Sequence, residues 1–156
     1  MIDLNNAENE FLSYTNKFDL NNPNIDRKVH HSIRVSRISK EIAEGLNLSD
    51  EEIDLAMLIG ILHDIGRFEQ FTVYKTYNDL KSIDHGRLGV DILTENNYIR
   101  KYISDDEYDN IILKAIKNHN QLKIEKSLSE KEELFSKIIR DADKIDIIYE
   151  ATEIFW

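Results

Sequence analysis

The chain has 156 residues, 41% of them hydrophobic, which is enough for one domain with a buried core. Its formal net charge of −10 argues against a large nucleic-acid-binding surface, which requires clustered lysine and arginine. There is no cysteine, which excludes disulfides and thiolate metal ligands. The sequence also has no apolar run of membrane-spanning length and no signal-peptide pattern at its start. We therefore expect a cytoplasmic protein that does not enter a membrane.

Helical periodicity dominates the sequence and predicts a compact all-α domain of about six helices. Ser49 with Glu52, and Ser129 with Glu132, have the spacing of capping boxes and predict two helix starts. The predicted helices run from about Ala7 to Phe18, Asp26 to Gly45, Ser49 to Leu62, Asp84 to Asn97, Ser104 or Asp105 to His119, and Ser129 to the C-terminus.

The segment from Gly66 to Ser82 has mixed character and is predicted to be a loop containing at most a short helical turn. We expect a single domain over residues 1–156, with its core between about residues 26 and 150. The apolar end Ile154-Phe155-Trp156 has no helix-stop signal. It predicts that a natural C-terminal part is missing.

Four of the five histidines fall on, or at the end of, apolar helix faces. His31 lies on the apolar stripe of the second helix, whereas its neighbour His30 aligns with the charged, solvated face. The other inward histidines are His63, His85 and His119. A single inward histidine is more often a hydrogen-bonded core residue than a ligand. Four from four helices indicate a shared partner, and a metal ion is the natural partner for histidine and aspartate together.

The aspartates of the last helix are harder to assign. Periodicity slightly favours Asp141 over Asp143 as the inward residue. For either, the alternative is a surface salt bridge to Arg140 or Lys144. Asp146 is a candidate for contact with a ligand residue or with the substrate.

The order of these residues resembles the HD-domain metal-dependent phosphohydrolases over about residues 26 to 150. The motifs that carry the resemblance are His31-Ser32-Ile33-Arg34-Val35, Leu62-His63-Asp64-Ile65-Gly66 and Ala142-Asp143-Lys144-Ile145-Asp146. In the last motif the family ligand follows the alanine, so the resemblance selects Asp143 over Asp141. The segment Gly66-Arg67-Phe68-Glu69-Gln70-Phe71 is similar to an uncharacterised bacterial subgroup of that family.

The resemblance implies a set of metal ligands. It implies one metal held by His31, His63, Asp64 and Asp143, and a second bound by His85 and His119, with Asp64 bridging the two. Such a set suits one or two divalent ions of manganese, iron, cobalt, nickel or zinc, and is poor for magnesium or calcium. His119 is followed by Asn120-Gln121-Leu122, which does not match the cyclic-dinucleotide branch of the family.

The function implied is metal-dependent hydrolysis of a phosphate ester in a small molecule, with a nucleotide as the expected substrate and a metal-activated water as the nucleophile. Asp64 is the candidate catalytic carboxylate, and Arg67 and Lys144 are candidates to stabilise and bind the phosphoryl group. Glu69 is a candidate substrate contact, because single-metal nucleotidases of the family place a glutamate after the His-Asp pair.

Two other functions fit the same residues. HD-type mixed-valent di-iron oxygenases use nearly the same six ligands to cleave C–C or C–P bonds with oxygen. A ligand-sensing module that keeps the fold without turnover is the third interpretation. Metal identity and oxygen consumption distinguish the first two.

Overall fold

The computed structural model describes residues 1–153, which fold into seven α-helices and two short 3₁₀ helices. The α-helices are α1 (Leu4–Thr15), α2 (Pro23–Gly45), α3 (Asp50–Leu62), α4 (Gly66–Tyr74), α5 (His85–Thr94), α6 (Asp109–Asn118) and α7 (Glu130–Glu153). The 3₁₀ helices are Asp79–Lys81 and Glu95–Lys101. The predicted all-α class is confirmed. The prediction that a C-terminal part is missing was based on residues 154–156, which lie outside the described residues.

Side-chain caps explain where several helices begin. Ser49 Oγ accepts a hydrogen bond from the backbone N–H of Glu52 at 3.2 Å, and the Glu52 carboxylate accepts one from the Ser49 N–H at 3.3 Å. Ser129 and Glu132 make the same reciprocal pair before α7, at 3.2 and 3.1 Å. Both predicted capping boxes are therefore confirmed. Asp84, also predicted as a cap, accepts from two backbone N–H groups in the first turn of α5.

Helix α3 is the central element of the core. Seven of its residues are buried, from Leu55 to Leu62 with Met57 excepted, and α3 contacts α1, α2, α6 and α7. Helix α2 crosses it closely at Gly60, where an added Cβ would lie 2.6 Å from the Ser36 Cα. Because α3 is held on several sides, the residues at its C-terminal end occupy a fixed position in the middle of the domain.

The prediction of a loop from Gly66 to Ser82 is wrong for its first half, which forms α4. Phe68 is fully buried among aromatic rings of α1, and Gln70 is fully buried and bonded to the segment that follows the helix. These tertiary contacts stabilise a short helix that has no strong periodicity of its own. The helix ends at Tyr74, and the next residue, Lys75, has a left-handed backbone conformation with φ of 59°.

Other predicted boundaries also shift, and α1 and α2 each begin three residues earlier than predicted. Helix α5 ends at Thr94 rather than near Asn97, because Asn96 and Asn97 both adopt left-handed conformations at the start of the second 3₁₀ helix. Helix α6 begins at Asp109, four or five residues later than predicted. In the part of the chain that the structure describes, no helix has both the length and the apolar character needed to cross a membrane.

Candidate metal centre

Five helices bring their polar residues together at one place in the core. His31 comes from α2, His63 and Asp64 directly follow α3, and His85 is the first residue of α5. The remaining two are His119, directly after α6, and Asp143 in α7. The four histidines and Asp64 are buried, and Asp143 is half-buried. Helix ends supply most of the cluster, so the residues converge although they are far apart in sequence.

The Asp64 carboxylate lies at the centre of the cluster. Its Oδ2 is 3.4 Å from His31 Nε2 and 3.6 Å from His63 Nε2. Its Oδ1 is 3.2 Å from both His85 Nε2 and His119 Nε2. The two oxygens of one carboxylate therefore face two different pairs of histidines.

Asp143 completes the group on the Oδ2 side. Its Oδ1 lies 3.0 Å from His31 Nε2 and 3.4 Å from His63 Nε2. One ligand atom from each of His31, His63, Asp64 and Asp143 lies within 4.8 Å of the others, and the same holds for Asp64, His85 and His119. The choice of Asp143 agrees with the geometry, whereas Asp141 is exposed.

Hydrogen bonds fix the orientation of the two histidines that follow helices. His63 Nδ1 donates to the Gly60 carbonyl at 2.7 Å, and His119 Nδ1 donates to the Ile116 carbonyl at 2.6 Å. A proton on Nδ1 leaves a lone pair on Nε2, the nitrogen that faces the centre of the cluster. This arrangement is usual for metal-binding histidines, which donate the other ring N–H to a nearby acceptor.

The other two histidines are held by carboxylates. His31 Nδ1 lies 2.6 Å from Asp146 Oδ2, and His85 Nδ1 lies 2.8 Å from Asp79 Oδ2. Asp146 is itself held by Arg34, whose Nε donates to it at 2.7 Å. All four inward histidines thus have Nδ1 engaged and Nε2 directed at the centre.

Electrostatics keep the carboxylates of the cluster ionised. Burial raises the pKa of Asp64, but the electrostatic influence of His63 and Lys28, together with hydrogen bonds from His119 and His31, outweighs burial and holds this pKa well below its usual range. Burial also raises the pKa of Asp143, and hydrogen bonds from His31 and His63 reverse that effect and lower it. Both groups are therefore available as anionic ligands.

The histidines of the cluster differ in their electrostatic surroundings. Burial lowers the pKa of His31, but hydrogen bonds with Asp143, Asp146 and further carboxylates raise it to about 12. The pKa of His119 is lowered, chiefly by burial, which favours a neutral imidazole. A buried group of imidazole nitrogens and ionised carboxylates fits a divalent transition metal well, because the ion supplies the positive charge that the carboxylates stabilise.

Arg67 is brought to the cluster. Its Nε lies 3.9 Å from Asp64 Oδ1, and its Nη1 donates to the Tyr77 carbonyl at 2.7 Å and to Gln70 Oε1 at 2.8 Å. A further Nη1 contact at 3.2 Å reaches Asp79, the carboxylate that holds His85.

The other predicted substrate residues lie farther out. Glu69 is exposed and lines a separate cleft of about 770 Å³ formed with α1 and the second 3₁₀ helix, so the structure does not bring it to the cluster. Lys144 follows Asp143 on α7, is exposed, and makes no ion pair within residues 1–153. His30 is exposed, as predicted, and its Nε2 lies 3.4 Å from Asp26.

Sequence reasoning missed two residues of the site. Lys28 Nζ lies 3.3 Å from Asp64 Oδ2, and Asp79 binds both His85 and Arg67. Lys28 had a usable signal, because it precedes His31 by three residues and therefore shares its helix face. Asp79 had none, since it lies in a segment without periodicity.

The fold and the buried cluster of histidines and aspartates together define the class of protein: an all-α domain built around a candidate metal centre. The family model described as HD domain matches residues 29–148, which include all six candidate ligands. The chain belongs to the HD domain family, and the predicted relation to the HD-domain metal-dependent phosphohydrolase superfamily is confirmed. No curated protein and no solved structure matches the chain.

Proposed function

We propose that this protein is a metal-dependent phosphohydrolase that cleaves a phosphate ester in a small molecule, a nucleotide being the proposed class of substrate. The observation that carries the proposal is the position of Asp64. Each of its two oxygens faces a different pair of histidines, and the oxygen-to-Nε2 distances are 3.2 to 3.6 Å. A carboxylate shared in this way is the arrangement expected of a two-metal centre.

The proposed ligands of the first ion are His31, His63, Asp64 and Asp143, and those of the second are Asp64, His85 and His119. Nitrogen and oxygen donors of this kind suit manganese, iron, cobalt, nickel or zinc. When bound, the ions supply Lewis-acid activation of water and neutralise charge on a phosphate.

The remaining residues of the site are proposed to bind and orient the phosphoryl group of the substrate. Arg67 Nε, beside Asp64 Oδ1, is positioned to donate to a phosphoryl oxygen as negative charge develops there. Lys28 supplies a second positive charge beside Oδ2. Lys144, exposed and next to Asp143, is proposed as an outer phosphate contact. Glu69 is left out of the proposal, because it lines a different cleft.

Support for a nucleotide comes from the family resemblance. Phosphate recognition itself rests on Arg67 and Lys28 and does not depend on the base.

The test begins with elemental analysis of protein purified without added metal or chelator, beside an Asp64→Ala control. We expect close to two transition-metal ions per chain in the wild type and loss of these ions in the variant. The metal-loaded protein should hydrolyse at least one member of a panel of nucleotides and simple phosphate esters. Metal-loaded protein that consumes oxygen and hydrolyses no ester would support the di-iron oxygenase instead. No metal after anaerobic reconstitution with manganese and iron would overturn the catalytic proposal and favour the ligand-sensing module.

A further inference from the structure

Two cations flank the central carboxylate, one on each side. Lys28 Nζ lies 3.3 Å from Asp64 Oδ2, the oxygen that faces His31 and His63. Arg67 Nε lies 3.9 Å from Oδ1, the oxygen on the other side of the same carboxylate. Both side chains are largely buried, at 15% and 16% exposure. Each half of the proposed centre therefore has its own positive charge.

One residue contacts both cations. The centroid of the Tyr77 ring lies 5.3 Å from Lys28 Nζ and 5.4 Å from the Arg67 guanidinium carbon, within the range of cation–π attraction. The Tyr77 hydroxyl donates to the Asn24 carbonyl in the first turn of α2 at 2.6 Å. Its own carbonyl accepts from Arg67 Nη1 at 2.7 Å. Tyr77 thus connects the helix that carries Lys28 to the helix that carries Arg67.

Arg67 is held in a way that leaves a buried donor, its Nε, without an acceptor in the described part of the chain. Its Nη1 has three acceptors, in Gln70, Tyr77 and Asp79. Its Nε is buried and has no hydrogen-bond partner among residues 1–153. A buried N–H without an acceptor is unfavourable, and such groups in native proteins usually meet a ligand or an ordered water. The unpaired nitrogen is also the one nearest Asp64, where a phosphate would lie.

We propose that Tyr77 is a positioning residue that holds Lys28 and Arg67 together as a phosphate-binding pair. The proposal rests on the phosphohydrolase function proposed above. Lysine and arginine side chains lose considerable rotamer freedom when they bind a ligand, and a ring that already restrains both of them reduces this loss. Removal of the ring should therefore weaken substrate binding more than it slows turnover, so that KM rises more than kcat falls.

The test measures the affinity of the metal-loaded protein for inorganic phosphate by calorimetry, together with KM and kcat for the best ester found. We expect Tyr77→Leu to weaken phosphate binding roughly five- to thirtyfold, the range of two cation–π contacts, whereas Tyr77→Phe, which keeps the ring, stays within about twofold. Tyr74→Leu is the matched control, because Tyr74 is an exposed residue at the end of α4. Metal content should be unchanged in all three variants.

A double-mutant cycle shows whether Tyr77 acts through its partner. In a Lys28→Met background the effect of Tyr77→Leu should fall to roughly two- to fivefold, because one of its two contacts is already gone. If Tyr77→Leu does not fold, Tyr77→Met takes its place, since it keeps much of the volume but lacks the aromatic face. Full phosphate affinity in whichever of these two variants folds would overturn this inference alone. If the metal-loaded wild type neither binds phosphate nor hydrolyses an ester, the proposed function and this inference both fail.

Discussion

Two adjacent histidines show how finely helix geometry divides residues of the same type. His31 is buried at the centre of the cluster, whereas the side chain of His30 is 65% exposed and pairs with Asp26 on the same helix. Successive residues of an α-helix point about 100° apart, so only one of the two can face the core. The sequence predicted this difference from the apolar stripe alone.

The histidine pair provides a matched test of ligand assignment. We expect His31→Ala to remove one ion. The loss of metal affinity should exceed roughly 10- to 100-fold, which is typical when a residue that only orients a ligand is removed. His30→Ala should retain wild-type metal content, because His30 does not reach the cluster. Both are measured by elemental analysis and calorimetric titration. Equal loss in the two variants would contradict the assignment.

Asp79 provides a test of the residues that hold the ligands. It binds His85 Nδ1 at 2.8 Å and so fixes the direction of Nε2. We expect Asp79→Ala to weaken binding of the second ion roughly 10- to 100-fold while the first remains bound. Asp91→Ala is the control, because Asp91 is an exposed residue of α5, the helix that begins at His85. Unchanged titration of the second ion in Asp79→Ala would show that the rest of the fold orients His85.

At the scale of elements, α4 depends on a close approach to α5. A Cβ at Gly66 would lie 2.4 Å from the His85 carbonyl oxygen and 2.9 Å from the Gly89 nitrogen. Both contacts are with backbone, so neither can be relieved by a side-chain rotation. The first residue of α4 is thereby coupled to the residue that supplies a candidate ligand.

Two glycine substitutions test this coupling. Gly66→Ala should destabilise the fold by about 1–3 kcal/mol, the usual cost of overpacking. Gly45→Ala, at the end of α2, meets no atom within 4 Å. It should be neutral or should stabilise by up to about 1 kcal/mol, because alanine narrows the unfolded ensemble. Thermal and denaturant unfolding measure both. A Gly66→Ala variant as stable as the wild type would show that the two helices move apart easily.

For the whole molecule, metal binding should connect helices that are distant in sequence. The six candidate ligands come from, or directly follow, α2, α3, α5, α6 and α7. An ion that binds only the folded chain stabilises it by about 2.7 kcal/mol at a free concentration one hundred times Kd. Chelation should then lower Tm by roughly 5–11 °C for a domain of this size.

The control for this prediction is Asp64→Ala. Because Asp64 lies between both groups of ligands, its removal should give a protein that melts low and does not respond to chelator. Wild-type protein verified to contain metal, with a melting curve unaffected by chelator, would contradict the coupling. For both proteins, Tm is measured by scanning calorimetry with and without chelator.

The sequence alone determined the all-α class, the starts of α3 and α7, and the inward direction of four histidines. These features depend on local periodicity and on caps formed within a few residues. The family resemblance, rather than periodicity, selected Asp143 over Asp141. That choice lay beyond local signals, since both residues are on the same amphipathic helix.

Only the tertiary structure decided the rest. Helix α4 forms because Phe68 and Gln70 are buried against other segments, which propensity does not report. The place of Asp79 depends on a non-helical segment folding back onto α5. The grouping of Lys28, Arg67 and Tyr77 around Asp64 requires three separate parts of the chain to meet. Local sequence can fix which way a side chain faces on its own element, but the distances between elements depend on how the whole core packs.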